Sequence, residues 1–241
     1  MIIALHGFLG LREDWMQLAP QLGDLQAVDL WKDLVELPPG DAFELWSEKF
    51  CKRVREENRI RAQAGAAKPI LLGYSMGGRL AMTAALMAPE LFSAAIFVSA
   101  NPGLSSESER SNRRAQDEAW AKRFMNEPWS EVLSAWTGQP VLASPNKSEM
   151  QLARTEVQFD RKLLARSMER WSLGAQRDMR RDLATLPIPS LFITGESDRK
   201  FTEMTAAMKL GNRHRVIEGA GHRVPWDRPQ AFARAVHDFI R

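Results

Sequence analysis

The chain has 241 residues, of which 44% are hydrophobic and 26% are charged. These values are typical of a globular protein with one domain, or with one domain that carries an insertion, and they exclude disordered, collagen-like and coiled-coil proteins. The formal net charge of +3 is small for this length, so we expect no nucleic-acid partner.

The single cysteine, Cys51, excludes an intramolecular disulfide and fits a reducing compartment. No apolar run approaches the roughly 18 residues that a membrane span needs. The first residues lack the charged and apolar regions of a signal peptide. We therefore expect a cytoplasmic protein with no membrane partner, and the sequence predicts no particular oligomeric state.

Short apolar runs alternate with longer segments of helical period. The runs predicted as strands are 2–5, 25–28, 69–74, 94–99, 190–194 and 213–217. Their nearly continuous hydrophobicity is typical of parallel strands that are covered on both faces. In a segment between two of them, Phe43, Trp46, Phe50 and Val54 form one apolar stripe of a helix. The alternation predicts an α/β fold with an open, mostly parallel sheet and helices on both faces.

The alternation stops between Ala100 and Ile188, where the sequence predicts helices but no strand. The helical patterns lie at about 107–126, 130–136 and 148–183. A helical block between two strands is best interpreted as a lid over the carboxyl edge of the sheet, where open α/β sheets bind ligands. We therefore predict a core formed by 1–102 and 184–241, with a helical cap over 103–183.

The strongest motif is the sequence GYSMGG at 73–78, which fits the pattern G-x-S-x-G. It follows an apolar strand and precedes a helix, as this pattern requires. The glycines permit a sharp turn that exposes the Ser75 hydroxyl at a helix amino terminus, which favours negative charge. The alternative is an ordinary glycine-rich turn; the context favours Ser75 as a nucleophile.

A serine hydroxyl needs a base, and the base needs an acid that orients it. His222 lies in a glycine-rich loop after a predicted strand and is the expected base. Asp198 is the expected acid, with Glu196 as the alternative, because both follow the preceding strand. His6, at the end of the first strand, is expected to shape the loop that follows it rather than to carry protons.

Catalysis by this set also needs an oxyanion hole, usually formed by two backbone N–H groups. We expect one donor to be Met76, which directly follows the nucleophile, and the other to be Phe8, in the loop after the first strand. The sequence shows no His/Cys/Asp cluster with metal-ligand spacing and no phosphate-binding loop, so no metal or organic cofactor is expected.

The motifs HGFLG, GYSMGGR, GESD and GAGH, in this order, resemble the α/β-hydrolase superfamily. GYSMGGR, NPGL and GESDRKF more narrowly resemble MenH, the family of 2-succinyl-6-hydroxy-2,4-cyclohexadiene-1-carboxylate synthases in menaquinone biosynthesis. That resemblance implies a lyase on a hydrolase scaffold. Its triad would promote abstraction of a proton, and a 2,5-elimination would release pyruvate from an enolpyruvyl precursor, with no acyl-enzyme.

Arg79 lies four positions after Ser75, on the same face of the helix one turn away. Its planar guanidinium suits a carboxylate, whereas a neutral ester has no need of it; the alternative is an arginine in solvent. The resemblance implies further substrate-binding residues for a substrate with several carboxylates. These are Arg113, Trp136, Tyr74 and Arg154, with Arg166 as the alternative to Arg154 and a core aromatic as the alternative role for Tyr74.

The chain departs from the family pattern in two places. Residues 29–34 replace a P-G-H-G loop, and Pro225 stands where the family often has a second histidine. Neither departure touches the triad, but both affect the wall of the pocket. The alternative function is therefore a serine hydrolase that acts on a carboxylic ester or related acyl compound. A non-catalytic binding protein is disfavoured because the Ser-Asp-His set is intact.

Overall fold

A computed structural model describes residues 1–142 and 154–241. Its strands form one sheet in the order β2-β1-β3-β4-β5-β6, and every neighbouring pair is parallel. The strands are β1 Ile2–Leu5, β2 Leu25–Val28, β3 Ile70–Tyr74, β4 Ala94–Val98, β5 Ser190–Gly195 and β6 His214–Ile217. The predicted α/β fold with an open parallel sheet is confirmed.

Four strand boundaries differ slightly from the predicted ones. Pro69 precedes β3, and Arg213 belongs to a 3-10 turn before β6. β4 ends one residue early because Ser99 takes a left-handed backbone conformation, with φ at 45°, that an extended strand does not allow. β5 continues one residue further, to Gly195, which pairs with Ile217 of β6.

Helices fill the segments between the strands. In the described residues the α-helices are Arg12–Met16, Ala19–Leu22, Leu30–Val35, Ala42–Gln63, Met76–Met87, Glu107–Asn126, Trp129–Thr137, Arg161–Arg170, Arg180–Ala184, Arg199–Ala206, Val224–Asp227 and Pro229–Ile240. The predicted stripe on Ala42–Gln63 is buried, since none of its four side chains is more than 4% exposed. Burying each of these large apolar side chains contributes about 1.5–3 kcal/mol.

Successive strand residues face opposite sides of the sheet and build two separate cores. Ile3 and Leu71 pack on one face with Ala42–Gln63 and Met76–Met87. Ile2 and Leu72 pack on the other face, against apolar side chains such as Phe232 of the last helix. This coverage explains why the strands read as almost continuously hydrophobic in the sequence. Cys51 belongs to the first core, and burial raises the pKa of its thiol to about 11.

The helices that follow β4 have a small core of their own. Phe124 and Val132 pack there with Leu164 and Met168, and Leu9, from the loop after β1, joins them. The cap helices therefore rest on the loop at the carboxyl end of β1. We retain 103–183 as the proposed extent of the cap.

The long helix predicted at 148–183 is not continuous. Its residues 148–153 lie outside the described part of the chain. The remainder contains two helices, Arg161–Arg170 and Arg180–Ala184, separated by a loop. Gly174 in that loop lies so close to the Arg110 backbone that a Cβ atom could not be accommodated, which fixes the loop against Glu107–Asn126. Within the described ranges, no helix is both long and apolar enough to cross a membrane.

Candidate active site

Ser75 occupies the sharp turn between β3 and the helix Met76–Met87. Its backbone has φ 52° and ψ −112°, a conformation that non-glycine residues rarely adopt. Gly77 makes the turn possible, because a Cβ at that position would collide with the backbone carbonyls of Leu5 and His6. The helix amino terminus can thus approach the end of β1, with Ser75 at the carboxyl edge of the sheet.

The structure brings Ser75, His222 and Asp198 into one hydrogen-bonded chain. His222 Nε2 lies 3.1 Å from Ser75 Oγ, and His222 Nδ1 lies 2.7 Å from Asp198 Oδ2. A carboxylate can only accept, so Nδ1 carries the ring proton and Nε2 can accept the serine proton. Both His222 and Asp198 are at most 5% exposed.

Glu196, the alternative acid, points elsewhere. Its Oε2 accepts a hydrogen bond of 3.0 Å from the Gly219 backbone N–H. Asp198 is therefore the carboxylate that contacts the imidazole. The ring of Phe201 packs beside that imidazole, with a centroid separation of 4.6 Å. No role was predicted for Phe201 from the sequence. Its position three residues after Asp198 could have indicated that it lies near the triad.

His6 shapes the loop after β1. Its Nε2 accepts from the Leu30 N–H at 3.2 Å, so its Nδ1 is protonated and donates to the Gly7 carbonyl at 2.9 Å. Burial lowers the pKa of His6, which keeps the ring neutral. The departure at residues 29–34 forms the helix Leu30–Val35, and Trp31 on it donates to the Gly10 carbonyl.

One cavity is lined by Ser75 together with Phe8 and Met76, the two residues expected to supply oxyanion-hole amides. Met76 is the first residue of its helix, so its N–H has no acceptor within the helix and is available to a ligand.

Arg79 forms part of the same cavity and is only 8% exposed. Its Nη2 donates to the Trp171 carbonyl at 2.7 Å, and its Nη1 donates to Gln176 Oε1 at 3.3 Å. Burial lowers the pKa of Arg79 to about 9, so the guanidinium is still charged at neutral pH. In the described part of the chain no carboxylate lies within ion-pair distance of it.

Arg113 also lines this cavity, and Asp117 holds it in place. The Arg113 Nε donates to Asp117 Oδ1 at 2.8 Å, while Asp117 Oδ2 accepts from the Ser172 hydroxyl at 2.8 Å. Sequence reasoning missed Asp117 and Ser172. The i,i+4 spacing of Arg113 and Asp117 could have revealed the first of these.

Two aromatic residues fall in different places. Trp136 lines the Ser75 cavity, and its ring lies 4.6 Å from that of Phe8. Tyr74 lines a neighbouring cavity instead, where its ring packs edge-on against Trp226 at 5.0 Å. It is also buried, which raises the pKa of its hydroxyl. Its burial and its packing fit the core aromatic, and a substrate-binding role for Tyr74 stays a prediction.

The structure does not bring the third predicted arginine to the Ser75 cavity. Arg154 lines the neighbouring cavity, where its Nη2 forms a buried ion pair of 2.5 Å with Asp14 Oδ2. Its alternative, Arg166, donates to the Leu37 carbonyl at 2.7 Å. Both arginines are held by residues far away in the sequence, Asp14 and Leu37, and these contacts keep them out of the Ser75 cavity. No local feature of the sequence indicates these contacts.

Residues 1–142 and 154–241 contain no group of three or more His, Cys, Asp or Glu side chains placed to hold a metal ion. The groups that the structure brings together around the cavity are a serine hydroxyl, its base and acid, a helix amino terminus and two arginine side chains.

Known proteins resemble the chain over its whole length. A 2-succinyl-6-hydroxy-2,4-cyclohexadiene-1-carboxylate synthase from Citrobacter koseri is 31% identical over 242 residues, which covers 100% of this chain and 93% of that protein. MenH from S. aureus superposes with a TM-score of 0.83 at 22% identity, covering 99% of this chain and 92% of that one. A thermophilic esterase from Thermogutta terrifontis, in a malate-bound structure, gives 0.67 at 19% identity, covering 100% and 89%.

The two structural matches show that the fold is shared. The sequence match with the Citrobacter koseri protein covers the whole chain. A family model described as the alpha/beta hydrolase family matches residues 2–235. The chain therefore belongs to the alpha/beta hydrolase family.

Proposed function

We propose that this chain is a lyase, a 2-succinyl-6-hydroxy-2,4-cyclohexadiene-1-carboxylate synthase of menaquinone biosynthesis. It would eliminate pyruvate from 2-succinyl-5-enolpyruvyl-6-hydroxy-3-cyclohexene-1-carboxylate. The curated relative that is 31% identical over the full chain supports this assignment. The single cysteine, buried as a free thiol, is compatible with the cytoplasmic location we propose.

In the proposed reaction, His222 Nε2 takes the hydroxyl proton of Ser75 while the Ser75 oxygen takes the ring proton of the substrate. The electron pair of the broken C–H bond forms an enolate, whose oxygen is held by the N–H groups of Phe8 and Met76. The enolate then breaks the C–O bond to the enolpyruvyl group. That group leaves as the enolate of pyruvate and takes onto carbon one proton, which balances the proton that the His222 imidazolium gives up, so the ring loses one proton, pyruvate gains one and the triad is restored.

Asp198 has a positioning role in this scheme. Its carboxylate fixes the tautomer of His222 and stabilises the imidazolium that forms when the proton arrives. The 3.1 Å separation between Ser75 Oγ and His222 Nε2 is suitable for that proton transfer.

The observation that carries the proposal is the buried Arg79 guanidinium. A charge removed from water is costly unless a counter-charge meets it. Arg79 has only neutral oxygen acceptors in the described part of the chain, and it borders the cavity of the nucleophile. A substrate carboxylate would supply the missing counter-charge, and Arg113 would bind a second one.

The experiment is a paired assay of one enzyme preparation. Pyruvate release from the enolpyruvyl precursor is measured through the enzymatic reduction of pyruvate by NADH. Hydrolysis of 4-nitrophenyl acetate is measured in parallel. We expect rapid pyruvate release that is abolished in Ser75→Ala. We also expect Arg79→Gln to raise KM for the precursor, with a smaller effect on the neutral ester. Rapid ester turnover with no pyruvate would refute the lyase.

The second candidate is a serine hydrolase acting on a carboxylic ester. The contact of Ser75, His222 and Asp198 favours it, because the same arrangement performs acyl transfer. It leaves the buried charge of Arg79 without a purpose, unless the ester itself is anionic. The paired assay separates the two candidates, since hydrolysis would acylate Ser75 and elimination would not.

A further inference from the structure

Asn101 lies in the wall of the Ser75 cavity and has no role in the reaction described so far. It follows β4, in the turn that leads to the cap, and is 6% exposed. It lines the cavity together with Arg79 and Arg113. An amide in that position can either support the turn or meet the substrate.

Hydrogen bonds to the backbone fix the orientation of this amide. Asn101 Oδ1 accepts from the Gly103 N–H at 2.9 Å. An N–H can be met only by an acceptor, so the oxygen must face Gly103 and the NH2 group must face away from it. The Asn101 backbone carbonyl is fixed as well, since it accepts from Gln176 Nε2 at 2.9 Å.

The NH2 group of Asn101 has no hydrogen-bond acceptor among residues 1–142 and 154–241. This nitrogen is also absent from the buried polar atoms that lack a partner, so it is accessible to solvent. Asn101 lines the cavity that contains Ser75. Two N–H donors of fixed direction therefore remain for a ligand.

We propose that Asn101 is a substrate-binding residue, whose NH2 group donates hydrogen bonds to an oxygen of the anionic substrate. This inference rests on the lyase function proposed above and adds a contact to that site. A neutral amide in the same cavity as Arg79 and Arg113 can share a carboxylate with these cations without adding like-charge repulsion. Because Gln176 joins the Asn101 carbonyl to Arg79 Nη1, the amide and this cation keep a constant relative position.

The test is Asn101→Asp. A carboxylate has nearly the shape of the amide and still offers an acceptor to the Gly103 N–H, so the turn is maintained. It replaces the NH2 donors with an oxygen that repels a substrate carboxylate. We expect KM for the enolpyruvyl precursor to rise about tenfold or more, with kcat changed much less.

The matched control is Asn126→Asp, the same change of charge on an exposed part of the cap helix. We expect its KM to equal that of the wild type. In Asn101→Asp the acceptor for the Gly103 N–H is retained, so a raised KM in this variant reflects a change toward the substrate and not the loss of the turn. An unchanged KM in that variant would overturn the proposal.

A second measurement does not depend on the stability of Asn101→Asp. In the Ser75→Ala protein, which should bind the precursor without converting it, the side-chain NH2 signals of Asn101 are followed by NMR. We expect them to shift on addition of the precursor while those of Asn126 stay in place. Unshifted Asn101 signals at saturating precursor would overturn the proposal. Absence of pyruvate release by the wild type would instead refute the lyase itself, so the two failures are distinguishable.

Discussion

Arg113 donates its Nε to the buried carboxylate of Asp117, at 2.8 Å, and its terminal nitrogens have no acceptor in the described part of the chain. Asp117 is itself held by the Ser172 hydroxyl. The guanidinium is thus fixed at its inner edge while its outer edge faces the cavity, the orientation in which it can bind a carboxylate with two parallel hydrogen bonds.

Replacing Arg113 with glutamine should weaken substrate binding and, because the buried Asp117 carboxylate loses its charged partner, should also lower the stability of the fold. The change removes a charge-assisted contact worth about 1.5–3 kcal/mol, so KM should rise by about tenfold or more. Steady-state assays of pyruvate release measure this. Lys122→Gln, on the exposed face of the same helix, is the control. An unchanged KM in Arg113→Gln would remove Arg113 from the site.

Asp198→Asn should lower kcat by about two to four orders of magnitude while the protein remains folded. An asparagine can present its NH2 group to His222 Nδ1, which would favour the tautomer that cannot take the Ser75 proton. Glu196→Gln is a matched control two residues away, because Glu196 bonds the Gly219 N–H rather than the imidazole. Equal losses of kcat in the two variants would show that the choice between these acids is wrong.

Arg154→Met should destabilise the protein, because it leaves the Asp14 carboxylate buried without its partner. Breaking a buried ion pair in this way costs about 3–5 kcal/mol. Urea denaturation should show a smaller loss for the double variant Asp14→Asn/Arg154→Met than the sum of the single losses. Arg12→Met, an exposed control, should change the free energy of unfolding by less than about 0.5 kcal/mol. Wild-type stability with a raised KM would instead return Arg154 to the substrate-binding set.

His6 should make the fold sensitive to mild acid. Burial lowers its pKa, so the unfolded chain binds a proton at a higher pH than the folded chain does. The stability contributed by the neutral ring is complete above about pH 6.5 and declines as the pH falls below it, by up to about 1.4 kcal/mol per pH unit. Urea denaturation between pH 7.5 and 5 should give a flatter profile for His6→Gln than for the wild type. His237→Gln is the control, and a profile for His6→Gln as steep as the wild-type one would contradict this account.

The sheet could be predicted because its determinants are local. Each strand is a short apolar run, and the turn at Ser75 is specified by glycines within a few residues of it. The choice between Glu196 and Asp198 depends on a contact between residues that are distant in the sequence. It depends on which carboxylate the turn directs toward a histidine 24 residues further along the chain.

The cap was harder to predict for the same reason. The helical period continues through residues 148–183, but tertiary contacts interrupt it, among them the close approach of Gly174 to Arg110. The ion pair of Arg154 could not be predicted because its partner, Asp14, lies 140 residues earlier in the sequence. Charge and helical period identify an arginine, but they do not identify the carboxylate it will meet.

Arg79 belongs to the helix that begins after the nucleophile, yet its hydrogen bonds reach Trp171 and Gln176, in the loop between two cap helices. Exchanging this cap for that of another hydrolase would leave the guanidinium buried without acceptors and the nucleophile helix distorted. In chimeric enzymes, therefore, the cap and the helix that follows Ser75 would have to be exchanged together.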